Sequence, residues 1–213
     1  MSFRAPEPVG VVLAGGLGRR LGGSKATVRL NGRPLITYPL GAVSAALGSA
    51  VVVAKADSEL PAMSGIEVWM EPPEPRHPLT GVVHALAVAE GRPVLACACD
   101  LPLVPADLIG ELAGVDQGDA LVVAASGGGR LQPLLARYEP EALEPLSAAL
   151  RTEGVSVRDA VSALGVRPYE VSEETFLFNV NTPEDLLQAG ALLAARGRVG
   201  PAGPSTAQPN VKS

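Results

Sequence analysis

Apolar positions fall into short continuous runs along the first half of the chain. Residues 9–14, 50–54 and 94–99 are almost wholly apolar, the pattern of strands buried on both faces. Residues 66–70 predict a further strand, and residues 26–30 a short one leading to a turn at Asn31-Gly32. Helical periodicity fills the gaps. Pro34 suits the opening turn of a helix towards Leu47; Pro39 inside it requires a late helix start or a kink. Leu79, Val82, Val83 and Leu86 share one face of a helix that stops near Gly91, after a proline-rich extended loop over residues 71–78. Pro105 opens another, with Leu108, Ile109 and Leu112 on its buried face.

The second half changes character. Residues 120–125 and 131–138 flank Ser126-Gly-Gly-Gly129 and predict an antiparallel hairpin with a glycine tip. Residues 142–150 and 157–164 read as helices, and residues 176–180 as a last short strand. Thr182-Pro183-Glu184-Asp185 supplies an N-cap, a first-turn proline and two acids for a helix running to about Arg196 and ending at Gly197. Residues 198–213, rich in Gly, Pro and Ser without periodicity, predict a disordered tail. The expectation is one Rossmann-like α/β domain over residues 1–197. It has a mostly parallel twisted sheet, helices on both faces and an antiparallel hairpin in the second half. Ligands of such sheets bind at the carboxyl ends of the strands.

The stretch that carries chemistry follows the first strand. Five glycines (Gly15, Gly16, Gly18, Gly22, Gly23) with Arg19, Arg20 and Lys25 form a basic loop. Its backbone can approach a ligand closely, and its N–H groups can make an anion-binding concavity. A nucleoside triphosphate is a natural guest; a ligand-free surface turn is the bland alternative. A Walker loop fails because Ser24 precedes Lys25 rather than following it. The dinucleotide fingerprint fails because Leu21 replaces its third glycine. Asp100, at the end of a strand on the same sheet edge, can hold Mg²⁺, which keeps several waters and bridges substrate phosphates. A turn or capping aspartate is the bland alternative.

Composition narrows the classes. Hydrophobic residues make up 47% and aromatic ones only 3%, so Ala, Val and Leu must fill the core of this 213-residue chain. A net charge of −5 argues against a general nucleic-acid binder. No apolar run approaches the ~18 residues of a membrane span, and the N-terminus does not read as a secretory signal. A cytoplasmic location is expected. Cys97 and Cys99 read as small buried side chains on one strand face. His77 and His84, the two histidines, are too few for a His-rich metal site.

Leu13-Ala-Gly-Gly-x-x-x-Arg20-Leu-Gly-x-x-Lys25 resembles the signature of nucleotidyltransferases related to molybdenum cofactor guanylyltransferase. Leu30-Asn-Gly-Arg-Pro-Leu35, Cys99-Asp-Leu-Pro102 and Asn179-Val-Asn-Thr-Pro-Glu-Asp185 continue the resemblance in the family's order, over about residues 9–195. It departs from the family at Ser24 and Glu71, where relatives carry Asp, and at Ala54, where they carry Asn. The resemblance implies a nucleotide-diphospho-sugar transferase-like fold and Mg²⁺-dependent transfer of GMP from GTP to the phosphate of molybdopterin or Mo-molybdopterin, releasing pyrophosphate.

It assigns the nucleotide to Leu13, Ala14, Gly15, Gly16, Arg20, Lys25, Glu71 and Asp100, the metal to Asp100, and the chemistry to Lys25, Asp100 and Asn181. About residues 9–115 would be the nucleotide half and 116–197 the acceptor half, with Arg130 and Arg158 serving the acceptor. A transient partner would deliver the labile pterin; the oligomeric state is left open. The alternatives are the same chemistry with CTP or another phosphorylated acceptor, or a non-catalytic nucleotide-binding protein of this fold.

Overall fold

The computed structural model describes residues 7–15, 21 and 24–198. Its main sheet has seven strands: β1 (Val9–Leu13), β4 (Val51–Ala54), β5 (Glu67–Met70), β6 (Val94–Ala98), β7 (Val122–Gly127), β8 (Arg130–Tyr138) and β9 (Val166–Glu170), in the order β5-β4-β1-β6-β8-β7-β9. All run the same way except β8, which is antiparallel to both its neighbours. The mostly parallel sheet with a second-half hairpin is therefore present, with β8 inserted between β6 and β7. Two two-residue strands, β2 (Arg29–Leu30) and β3 (Arg33–Pro34), pair around the Asn31-Gly32 turn, where both residues have positive φ.

The continuous apolar runs are explained by layers on both sides. Helices α1 (Thr37–Leu47) and α3 (Ala106–Gly114) cover one face, where Val12, Val52, Leu95 and Cys97 point. Helices α2 (Pro78–Val88), α4 (Leu143–Leu150) and α5 (Val157–Ser162) cover the other, where Val11, Val53, Val94 and Ala96 point. Successive residues of one strand thus feed opposite cores. Helix α6 (Pro183–Arg198) buries Ala189 against Leu30, Leu35 and Val180.

Several local expectations are refined. Helix α1 starts at Thr37, so Pro39 falls in its first turn, where the missing N–H has no helical partner to lose. Residues 176–180 are not a strand. Glu174–Leu177 forms a 3-10 turn and the chain then crosses the strand ends, with the Val180 N–H bonded to the Asp100 carbonyl at 2.9 Å. The sheet position beside β7 is taken instead by β9, which pattern reading misses because Arg167, Pro168 and Glu170 mask its alternation; edge strands tolerate both proline and charge. Helix α6 passes through Gly197 to Arg198, since glycine permits a left-handed stop without imposing one. Residues 199–213 of the expected tail lie outside the described residues.

Gly10 shows how closely β1 lies under α1. A Cβ there would stand 2.4 Å from Val43 Cγ1 and 2.9 Å from Leu47 Cδ1. Gly10→Ala is expected to destabilise the fold by about 1–3 kcal/mol through overpacking, read as a lower urea midpoint. An unchanged midpoint would mean that α1 shifts freely on the sheet.

Candidate active site

Strand register brings one group of residues to one edge. Leu13 lies level with Val53 and Ala98, and Ala54 with Met70. The residues just past these strand ends, Gly15, Lys55, Glu71 and Asp100, therefore line a common cleft of about 280 Å³, together with Lys25. The parallel sheet places ligands here for a general reason: loops that leave neighbouring strands diverge and leave a crevice.

Asp100 and Lys25 meet across it. Lys25 Nζ donates to Asp100 Oδ2 at 2.7 Å and to Asn181 Oδ1 at 2.6 Å. Asn181 is held by the start of α6: Asp185 Oδ2 accepts from the N–H groups of Asn181 and Thr182, both at 2.9 Å, and the Asp185 N–H donates to Thr182 Oγ1 at 3.2 Å. This reciprocal cap is of the capping-box type, and it holds the Asp185 carboxyl below its usual range by the hydrogen bond from Asn181 first. Three segments distant in sequence thus converge on one ammonium.

The second oxygen of Asp100, Oδ1, is buried and without a hydrogen-bond partner among the described residues. No group of three His, Cys, Asp or Glu side chains suited to a metal occurs among the described residues. One carboxylate with a spare oxygen fits Mg²⁺, which takes one or two protein carboxylates and completes its shell with waters and phosphates; it does not fit a cage-bound ion such as structural zinc.

Glu71 is enclosed. Its N–H donates to the Ala54 carbonyl at 2.9 Å, and its side chain lies between two glycines. A Cβ on Gly15 would stand 2.4 Å from Glu71 Oε1, and one on Gly81 3.1 Å from Oε2. Burial pushes the Glu71 carboxyl up, and the Lys55 ammonium opposes it from 3.5 Å. Lys55 was not legible as a site residue. A lysine after an apolar strand reads as a solvated strand end, and only the fold turns it inward to 4% exposure.

Leu13 lines the cleft, while Ala14 is buried beneath it, its N–H bonded to the Val53 carbonyl at 2.8 Å. Gly16 and Arg20 lie outside the described residues. Cys97 and Cys99 are buried on the α1/α3 face; burial pushes the Cys99 thiol up to about 12, which makes it a poor nucleophile. His77 caps α2, its Nδ1 accepting from the Leu79 N–H at 3.3 Å while Nε2 lies 3.1 Å from the Val155 carbonyl. Arg76 and His77 also border the cleft.

A second cleft, of about 730 Å³, adjoins the first at Leu134 and is bordered by Arg130, Arg158 and Asn179. It exists because the pairing of β7 with β8 slips between Ala124 and Ala125, leaving Pro133, Leu134 and Leu135 as a bulge. The Tyr138 hydroxyl donates to the Pro133 carbonyl at 2.6 Å and pins it. Asn179 borders this second cleft, its Nδ2 donating to the Leu177 carbonyl at 3.1 Å, whereas Asn181 bonds Lys25 at the first.

Residues 10–166 match the MobA-like NTP transferase domain. The chain is 34% identical over 188 residues to a molybdenum cofactor guanylyltransferase of Cereibacter sphaeroides, covering 86% of this chain and 96% of that protein. It is 32% identical to one of Rhodopseudomonas palustris, covering 88% and 92%. Among solved structures, the molybdopterin-guanine dinucleotide biosynthesis protein A of Archaeoglobus fulgidus superposes with a TM-score of 0.69 at 23% identity, covering 87% of this chain and 98% of that one. The 2-C-methyl-D-erythritol 4-phosphate cytidylyltransferase of Thermus thermophilus superposes with a TM-score of 0.65 at 22% identity, covering 88% and 99%. These two likenesses speak to the fold.

Proposed function

The chain belongs to the MobA-like NTP transferase family, and from that premise we propose that it transfers the GMP unit of GTP to the phosphate of molybdopterin or its molybdenum-loaded form, releasing pyrophosphate. The observation that carries this reading is the Lys25 ammonium held by Asp100 and Asn181 at the edge where the glycine loop begins.

In this reading a phosphate oxygen of the pterin attacks the α-phosphorus of GTP, the bond to the β-phosphate breaks, and pyrophosphate leaves. The nucleophile is already a phosphate, so the protein's work is alignment and charge screening rather than covalent chemistry. Gly15, having no Cβ, admits the Glu71 carboxylate to the wall of the cleft that Lys25 also lines. Lys25 swings from Asp100 towards the phosphates as their negative charge shifts to the leaving group. Asp100 and Asn181 guide that ammonium. Mg²⁺ bound at Asp100 would neutralise charge on the phosphates. Arg130 and Arg158, bordering the second cleft, hold the phosphate of the acceptor, a role suited to guanidinium forks.

Pyrophosphate release tests the reading, with GTP, CTP and ATP each supplied with molybdopterin and Mg²⁺. Release with GTP alone is expected. Equal or faster release with CTP overturns the guanylyl assignment, and none with any nucleotide points to a non-catalytic binder. Arg130→Ala and Arg158→Ala are each expected to raise the apparent KM for the pterin about tenfold or more, with GTP affinity unchanged. A matching loss of GTP affinity would reverse the assignment of the two clefts.

A further inference from the structure

Beside Glu71 the cleft carries a second buried charged group for which the reaction as described has no use. Lys55 lies just past the end of β4, 4% exposed, and lines the same cleft. Its Nζ donates to the Pro72 carbonyl at 2.6 Å and stands 3.5 Å from Glu71 Oε1. An ammonium has three N–H bonds. One is taken by Pro72 and one faces Glu71, so a third has no protein acceptor among the described residues. The Glu71 carboxylate occupies the space that the missing Cβ atoms of Gly15 and Gly81 leave open on either side. Burying this pair has a desolvation cost that the mutual attraction barely offsets. The Lys25–Asp100 pair in the same cleft serves the phosphates; this second pair therefore calls for a use other than stability.

Lys55 Nζ approaches Glu71 through Oε1, and both residues line the cleft, so a base docked against them would meet one donor and two acceptor oxygens. The Watson–Crick edge of guanine is the complement: O6 accepts, while N1–H and N2–H donate. Cytosine has the reverse order, with an N4 donor followed by the acceptors N3 and O2, and sets its acceptors against the carboxylate. Adenine brings its N6 donor against the ammonium. Ala54, which has no polar side chain, stands immediately before Lys55, so recognition on this strand end falls to the lysine.

We infer that Lys55 is a base-reading residue, its ammonium donating to O6 of guanine while Glu71 accepts from N1–H and N2–H. The inference rests on the guanylyl reading and assigns its specificity to the Lys55–Glu71 pair. A lysine that acts only as a counter-ion for Glu71 makes a different prediction, because it then affects the base through the carboxylate and leaves O6 unread.

Calorimetric titration of the full chain with Mg²⁺ and three nucleotides separates the two. 6-Thioguanosine triphosphate weakens the O6 acceptor and keeps both donors; inosine triphosphate keeps O6 and lacks the N2 amine. The wild type is expected to bind GTP about 10- to 100-fold more tightly than either. In Lys55→Met the GTP advantage over the thio analogue should disappear, while the advantage over inosine triphosphate remains. If instead the inosine ratio collapses and the thio ratio persists, Lys55 acts only through Glu71 and the inference is overturned. Equal binding of GTP and the thio analogue by the wild type overturns it as well, whether or not the variant folds. Tighter binding of CTP than of GTP by the wild type would remove the guanylyl reading itself, an outcome distinct from the other two.

Discussion

Asp100→Ala and Lys25→Ala are each expected to slow nucleotidyl transfer by about 100- to 1,000-fold, the usual effect of deleting a preorganised charge at a reacting centre. The two side chains touch at 2.7 Å and are 14% and 18% exposed, so their charges act in a site partly screened from water. The loss should differ in kind. Asp100→Ala removes the buried Oδ1 and should weaken the response of rate to Mg²⁺ concentration. Lys25→Ala leaves that carboxylate in place and should keep the Mg²⁺ response while turnover falls. Both variants should retain the wild-type unfolding free energy within about 1 kcal/mol, the scale of a partly exposed ion pair. The backbone tie between Asp100 and Val180 also survives either substitution. Single-turnover rates at several Mg²⁺ concentrations check this, and near-normal turnover in either variant would remove the mechanism.

Arg137→Met is expected to cost about 3–5 kcal/mol of stability, because it strands a charge rather than deleting a pair. Arg137 sits on β8 between Leu95 and Val123, in the middle of the sheet, and is 6% exposed. Its Nε donates to Glu139 Oε1 at 2.8 Å, one terminal nitrogen to the Ala113 carbonyl at 2.7 Å, and the other to Gln117 Oε1 at 2.8 Å. One side chain thus satisfies a buried carboxylate and a carbonyl of the last turn of α3, which would otherwise be left without a helical partner. Urea denaturation should show a lower midpoint with an unchanged slope. The double variant Arg137→Met/Glu139→Leu, which removes both charges, should recover most of the loss. A single-variant loss under about 1 kcal/mol would mean that water replaces the guanidinium.

The two expectations draw on different amounts of sequence information. Asp100 and Lys25 are legible because their contexts are unusual: an acid ending an apolar run, and a base closing a glycine-dense loop. Arg137 gives no such signal. A single charge in a run of strand residues reads as an outward position, and only the insertion of β8 between β6 and β7 buries it. Lys55 was hidden in the same way, since its inward turn depends on the chain bending at Ser58, whose side chain accepts from the Lys55 N–H at 3.2 Å. Glu71 was visible as a carboxylate near the binding edge. The two glycines that enclose it, Gly15 and Gly81, come from segments 66 residues apart (81 − 15) and meet only in the folded chain.

The sequence by itself determined the local alphabet of this protein. Continuous apolar runs set which strands lie in the middle of the sheet, helical periods set which faces pack on them, and Thr182, Pro183 and Asp185 set the start of the last helix. These are short-range properties, written in neighbouring residues. Tertiary structure alone decided that β9 and not residues 176–180 would join the sheet, that β8 would bulge to open the second cleft, and that Asp100 and Asn181 would share the Lys25 ammonium. Backbone hydrogen bonding between strands is nearly indifferent to side chains, so pairing and register are settled by which arrangement buries most apolar surface over the whole sheet. That sum has no local signature, and the site inherits its geometry from it.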